Sequence, residues 1–208
     1  MIKIWDGFNR GFHWLLVACL AGLRNTGGKL EHIDMHEMLG IFLLALLLTR
    51  IIWGFIGSQP ARFSHFLASP AATFRYMREP SSFNQHTHNP MGALSVVIML
   101  LLLLVQAITG LFTDDAIFYR GPLAHLVSYD VSSLLTSIHK LNFEFLKIII
   151  GLHLLAIIAY RFFGQALTKA MMTGNKQGDL SEQPHMVSGA WGYVLLALNY
   201  AWLYWWLG

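Results

Sequence analysis

Charge is what this sequence has least of. Of its 208 residues only 12% are Asp, Glu, Lys or Arg, against about a quarter in soluble domains, so the ionic shell of a water-facing protein cannot be built. Cysteine is reduced to one residue, Cys19, which excludes an intramolecular disulfide, a zinc ribbon and a CxxCH covalent haem attachment. Flanked by Val17, Ala18 and Leu20, it reads as a small buried hydrophobe. Internal repeats and low-complexity tracts are missing. The start, MIKIWDGFNRGFHW, lacks a basic region followed by an apolar stretch and a small-residue cleavage site, so no cleaved signal is expected. A basic cluster with interleaved aromatics is also missing, so the net charge of +3 does not point to nucleic acid.

What fills the space is apolar: 55% of residues are hydrophobic and the mean hydropathy is +0.51. At about 20 residues per membrane-spanning helix, the length holds five spans. The expectation is an all-α integral membrane bundle with helices over about 8–26, 35–56, 90–112, 138–163 and 187–207. The first four form residues 1–176 and the fifth belongs to 177–208. Pro90–Phe112 and Val187–Gly208 are free of charge. The other three stretches are interrupted by histidine, and two of them also by charge: Glu37 and Arg50 in one, Glu144 and Lys147 in the other. Ionisable groups inside a membrane are costly and mark function, so the imperfect spans are the informative ones.

Lysine and arginine near span ends set orientation. Lys3, Arg10, Arg50, Arg62, Arg75, Arg78, Arg161, Lys169 and Lys176 fall on the amino-terminal side, and Arg24, Lys29, Arg120 and Lys140 on the other. Nine against four places the amino terminus in the cytoplasm and, with five spans, the carboxyl terminus outside. Trp202, Tyr204, Trp205 and Trp206 then form an outer aromatic belt. In the inner loop Gly57–Asn89, Pro70 and Pro80 bracket AATFRYMRE, which reads as a short interfacial helix with Phe74 and Met77 towards lipid. Thr113–Ser137 reads as an outer loop.

Ten histidines nearly equal the eleven acidic residues. His139 and His153 lie 14 residues apart on one expected helix. That spacing falls about 40° short of four turns, which puts both rings on nearly one face, about 21 Å apart. His36 starts the second helix at the outer level of His139, whereas His13 shares the inner level of His153. Two opposed pairs at two depths are what two bis-histidine haems need. Arg50 returns to the face of His36 at the inner depth, where it suits a haem propionate or snorkels to headgroups. Gly40 and Gly151 would admit a flat macrocycle or close helix packing. His32 and His36 precede Glu37 in the order HxxxHE, which is not the HExxH of a zinc protease. His65, His86, His88, His125 and His185 have no matching partner in depth. Glu144 and Lys147 suit a local ion pair, and Gln106 and Thr109 a hydrogen bond to a neighbouring helix or a quinone.

FHWLL at Phe12–Leu16, HEMLG at His36–Gly40, RIIWG at Arg50–Gly54, NPMG at Asn89–Gly92, GLHLL at Gly151–Leu155 and AMMTGNK at Ala170–Lys176 together carry a resemblance. The chain resembles the bacterial cytochrome b561 and nickel-iron hydrogenase b-type cytochrome family over about residues 5 to 176. The resemblance implies a four-helix core with two haem b, His13 with His153 on the inner one and His36 with His139 on the outer one. It implies electron relay in the bacterial inner membrane between the quinone pool and a redox protein, such as a periplasmic cytochrome or a dehydrogenase subunit. Asn89 and Gly92 resemble an asparagine and glycine near quinone in the related cytochrome subunit of formate dehydrogenase. Capping of the helix that Pro90 begins is the alternative for Asn89. Lys140 departs from the acidic residue that many relatives carry after the outer histidine.

Two other functions compete. A superoxide:quinone oxidoreductase of the same family type would want basic groups outside, where Glu31, Asp34, Glu37, Asp114, Asp115 and Asp130 face only four basic residues. A non-redox membrane anchor or a proton-coupled transporter would use the histidines without haem.

Overall fold

The computed structural model describes residues 1–79 and 89–208. Pro80, His86 and His88 lie outside the described residues. The helices are α1 (Gly7–Thr26), α2 (Ile33–Ile56), α3 (Phe63–Phe66), α4 (Pro70–Arg78), α5 (Pro90–Leu111), α6 (Tyr129–Phe162), α7 (Leu167–Thr173) and α8 (Ala190–Leu207). The short strands β1 (Ile2–Lys3) and β2 (Asn175–Lys176) pair antiparallel, Ile2 opposite Lys176 and Lys3 opposite Asn175.

Among the described residues three helices are long and apolar enough to cross a membrane: Leu30–Ile56, Pro90–Leu111 and Tyr129–Phe162. Arg10, His13 and Arg24 dilute α1. In α8 the diluting residues are Asn199 and the Trp and Tyr rings, which count as nearly neutral in hydropathy.

The fourth long helix is the largest departure from expectation. It begins at Tyr129 rather than near 138, so Tyr129–Ser137 is helix and not loop. The reason is local. Ser128 caps the helix by accepting from the Val131 amide, and Asp130 complements the dipole in the first turn. YDVSSLLTS is too polar for a hydropathy reading to include, yet nothing in it breaks a helix. Ser132 Oγ donates to the Phe112 carbonyl and Thr136 Oγ1 accepts from the Asp114 amide at 3.1 Å, which pins this extension to the end of α5.

α2 is central, packed against α1, α5 and α8. It buries Ile41, Leu43, Leu46, Leu47 and Trp53 almost completely. α6 packs mainly on α5, and in its membrane-length window 6% of residues are buried, against 56% for α2. Apolar contact between helices in lipid gains packing more than hydrophobic free energy, so small residues that permit close approach matter. Gly11 lies against the Tyr193 phenol and Gly192 against the Phe8 ring, and a Cβ at either position would overlap those rings. Asn199 Nδ2 donates to Thr49 Oγ1 at 2.8 Å, a polar tie between α8 and α2.

Asp6 caps α1 through the Asn9 amide at 2.7 Å, and its other oxygen accepts from Trp53 Nε1 at 3.1 Å, so the start of α1 is fixed to the end of α2. Ser69 caps α4, with Pro70 in the first turn and Phe74 and Met77 exposed. A short helix stands where the sequence placed one.

Candidate functional site

The His36 and His139 rings lie edge to face, with centroids 6.5 Å apart and planes at 79°. Metal–imidazole bonds of about 2 Å, plus about 1 Å from each nitrogen to its ring centre, put two trans imidazoles about 6 Å apart. The separation fits a pair of axial ligands.

Both rings are held by Nδ1. Thr26 Oγ1, which donates to the Gly22 carbonyl at 2.9 Å, lies 3.1 Å from His36 Nδ1. Its proton is spent, so the oxygen accepts from the imidazole N–H. His139 Nδ1 lies 3.0 Å from the Gln106 carbonyl and 3.3 Å from Thr109 Oγ1, whose own proton goes to the Val105 carbonyl at 2.6 Å. A carbonyl only accepts, so Nδ1 carries the proton and Nε2 the lone pair. Histidines that ligate metals are anchored in this way.

The second pair is built differently. His13 on α1 and His153 on α6 are close enough to interact electrostatically. His13 Nδ1 is buried with no hydrogen-bond partner among the described residues. A Cβ at Gly40 or Gly151 would meet no atom within 4 Å, which leaves room for a flat group on those helix faces. Among the described residues no three His, Cys, Asp or Glu side chains gather as for a bare ion. Paired imidazoles suit a metal whose other positions are already filled by a macrocycle.

Arg50 is 3% exposed, which rules out snorkelling to headgroups. Its guanidinium lies 5.4 Å from the Phe63 ring centroid and 6.0 Å from that of Phe66, with Asp6 as the facing carboxylate. Its Nη1 has no hydrogen-bond partner among the described residues. A buried cation with a spare donor fits an acidic group such as a propionate.

Asn89 caps α5 by accepting from the Gly92 amide at 2.7 Å, and its Nδ2 donates to the Tyr160 hydroxyl at 2.6 Å. Tyr76 lies 3.5 Å from that hydroxyl. Burial and the neighbouring Tyr160 phenol push Tyr76 up to about 12. Beside this polar cluster an apolar groove between α4 and α5 is lined by Leu67, Phe74, Met77, Pro90, Leu94 and Val97.

The outer connection is ordered by carboxylates. Asp115 Oδ1 accepts from the amides of Ile117, Phe118 and Tyr119 at 2.8 to 3.0 Å, which holds its carboxyl below the usual range. Tyr119 donates to Glu37 at 2.8 Å, and burial together with that carboxylate pushes its phenol well above the ordinary value. Glu37 adjoins His36, so this connection is tied to the first histidine pair.

The remaining histidines lie apart. His65 contacts the Gln59 side chain, His185 bonds Gln59 through its backbone, and His32 lies 3.5 Å from Glu31. Glu144 and Lys147 form the expected ion pair at 2.7 Å. Sequence reading missed Thr26 and Asn142 altogether. Asn142 had a usable signal, a lone amide one helical turn after His139, whereas Thr26 lies at the end of its helix, where polar residues are ordinary.

Neither a curated protein nor a solved structure matches this chain. A family model described as prokaryotic cytochrome b561 matches residues 4–174. The order HEMLG, RIIWG, NPMG and GLHLL, set on helices that bring the histidines together in pairs, falls within that match. The chain belongs to the prokaryotic cytochrome b561 family, membrane b-type cytochromes that bind haem through histidines and transfer electrons.

Proposed function

We propose that the protein is a five-span dihaem cytochrome b of the bacterial inner membrane that relays electrons between quinone and a redox protein at the outer face. The observation that carries this reading is the pair His36 and His139 at 6.5 Å, each with Nδ1 anchored. On this reading His36 and His139 hold the outer haem, and His13 and His153 the inner one. The haems supply reversible one-electron chemistry.

The chain's own residues position and tune. Thr26 and the Gln106 carbonyl fix the outer imidazoles, and Arg50 offers its Nη1 to a propionate of the inner haem. Gly40 and Gly151 leave the helix faces bare for the macrocycles. Quinone is assigned to the end of the bundle where Asn89, Tyr160 and Tyr76 meet the apolar groove, since phenols and an amide suit carbonyl oxygens and the groove suits an isoprenoid tail. Two histidines to each haem would leave no site at the iron for oxygen, so the chain's residues would favour electron transfer.

The test is a pyridine haemochrome assay on purified protein. The expected result is two non-covalent haem b per chain, falling to one in His139→Ala. A colourless preparation, or an unchanged ratio in that variant, would overturn the assignment.

A further inference from the structure

The carboxamide of Asn89 is used at both ends, and that decides what the neighbouring phenol can do. The Gly92 amide only donates, so the Asn89 atom it reaches at 2.7 Å is Oδ1, and the atom 2.6 Å from the Tyr160 hydroxyl is Nδ2. Nδ2 donates into a lone pair of Tyr160 Oη, and the phenolic hydrogen stays unspent. Among the described residues the other hydroxyl within reach is that of Tyr76 at 3.5 Å, well beyond the roughly 2.8 Å of an ordinary O–H···O bond.

Two placements show where that hydrogen is offered. Tyr160 follows His153 by seven residues on α6. That spacing is about 20° short of two full turns, so Tyr160 lies on the His153 face, about 10.5 Å further along the axis. Asn89 immediately precedes Pro90 and Tyr76 immediately precedes Met77, and both Pro90 and Met77 line the apolar groove between α4 and α5. A free O–H at the head of an apolar groove suits an uncharged ring with a carbonyl acceptor and an apolar tail.

We infer that the Tyr160 hydroxyl is the group that binds a quinone carbonyl oxygen, and that Asn89 is a positioning residue that acts through it. This rests on the quinone reading above and narrows it to one hydrogen bond. The bond that Tyr160 accepts from Asn89 polarises the phenol and strengthens the bond that the phenol gives.

The experiment is titration calorimetry of the oxidised holoprotein with two probes, decylubiquinone and menaquinone-1. Tyr160→Phe removes the donor and keeps the ring. Asn89→Asp keeps the cap on Gly92, but a carboxylate facing Tyr160 accepts instead of donating and takes the phenolic hydrogen for itself. In each variant the probe that the wild type prefers should bind about tenfold more weakly, the size of one hydrogen bond. The double variant should bind no more weakly than either single one, because both changes remove the same proton. The dithionite-reduced spectrum is the control that the haems are in place. Wild-type affinity in either variant overturns the inference, and so does a double variant in which the two losses multiply. Should Asn89→Asp not assemble, Tyr160→Phe decides alone. If the wild type binds neither probe, the quinone reading itself fails; if it binds one and Tyr160→Phe binds it equally well, only the assignment to Tyr160 fails.

Discussion

Single residues in this protein are specified by what their neighbours can donate or accept. Gly174 shows the geometric kind of specification. It ends α7 with φ of 81°, and a Cβ there would lie 2.8 Å from the Trp5 carbonyl. Its own carbonyl accepts from the Ile4 and Trp5 amides at 2.8 and 3.2 Å. An L side chain in the left-handed region costs about 1–2 kcal/mol. At about 2–4 °C per kcal/mol for a chain of this size, Gly174→Ala should lower the melting temperature in detergent by roughly 2–8 °C, read by light scattering or intrinsic fluorescence. The spectrum of any bound haem should not change. The histidine pairing was legible at this scale because helix geometry turns a 14-residue spacing into a face and a depth. Gln106 was legible only as a hydrogen bond to a neighbouring helix, and Asn142 and Thr26 were not legible, because which polar residue meets which ring depends on how α1, α5 and α6 are rotated about their own axes.

At the scale of elements, the connection between α5 and α6 is folded by a carboxylate rather than by a core. Asp115 gathers three amides, Asp114 lies 3.4 Å from Arg120, and Ile117 and Phe118 stand exposed at the tip. The native carboxyl of Asp115 lies below its unfolded value, so its contribution is present above the ordinary carboxylate range and is lost as pH falls through the depressed native value. Hydrogen exchange at Ile117, Phe118 and Tyr119, corrected for intrinsic rates, should show protection at neutral pH that disappears on acidification. Asp115→Ala should abolish it at every pH. Equal protection in that variant would remove Asp115 from its role. Helix existence was largely legible from apolar runs. The true start of α6 was not, since Ser128 capping competes with polarity and only the structure shows which prevails.

For the whole molecule, the long helix α6 sets the scale. Its 34 residues span about 51 Å at 1.5 Å per residue, well beyond the roughly 30 Å of bilayer hydrocarbon. One end therefore stands in water, and the polar end is Tyr129–Ser137. On the proposed topology that end is in the periplasm. Cys19 is buried, so single-cysteine reporters can be added against a quiet background. Ser133→Cys should react in intact cells with a membrane-impermeant maleimide, and Gln177→Cys only after lysis. The reverse pattern would invert the orientation. Legibility was poorest here. Residues 177–208 read as a separate span, yet α8 packs on α2 and α1 and ties Asn199 to Thr49, a contact with no signature in the sequence of either helix.

The pairing of Ile2–Lys3 with Asn175–Lys176 has a consequence in time as well as in space. Translation runs from Ile2 towards Lys176, so the strand Ile2–Lys3 must wait unpaired until α1, α2, α5 and α6 have been made. Ile2, Ile4 and Trp5 then cluster with Ala170, and Met171 packs against them. A strand made before α1 finds its partner only after α6, and its closure reports that everything between has arrived.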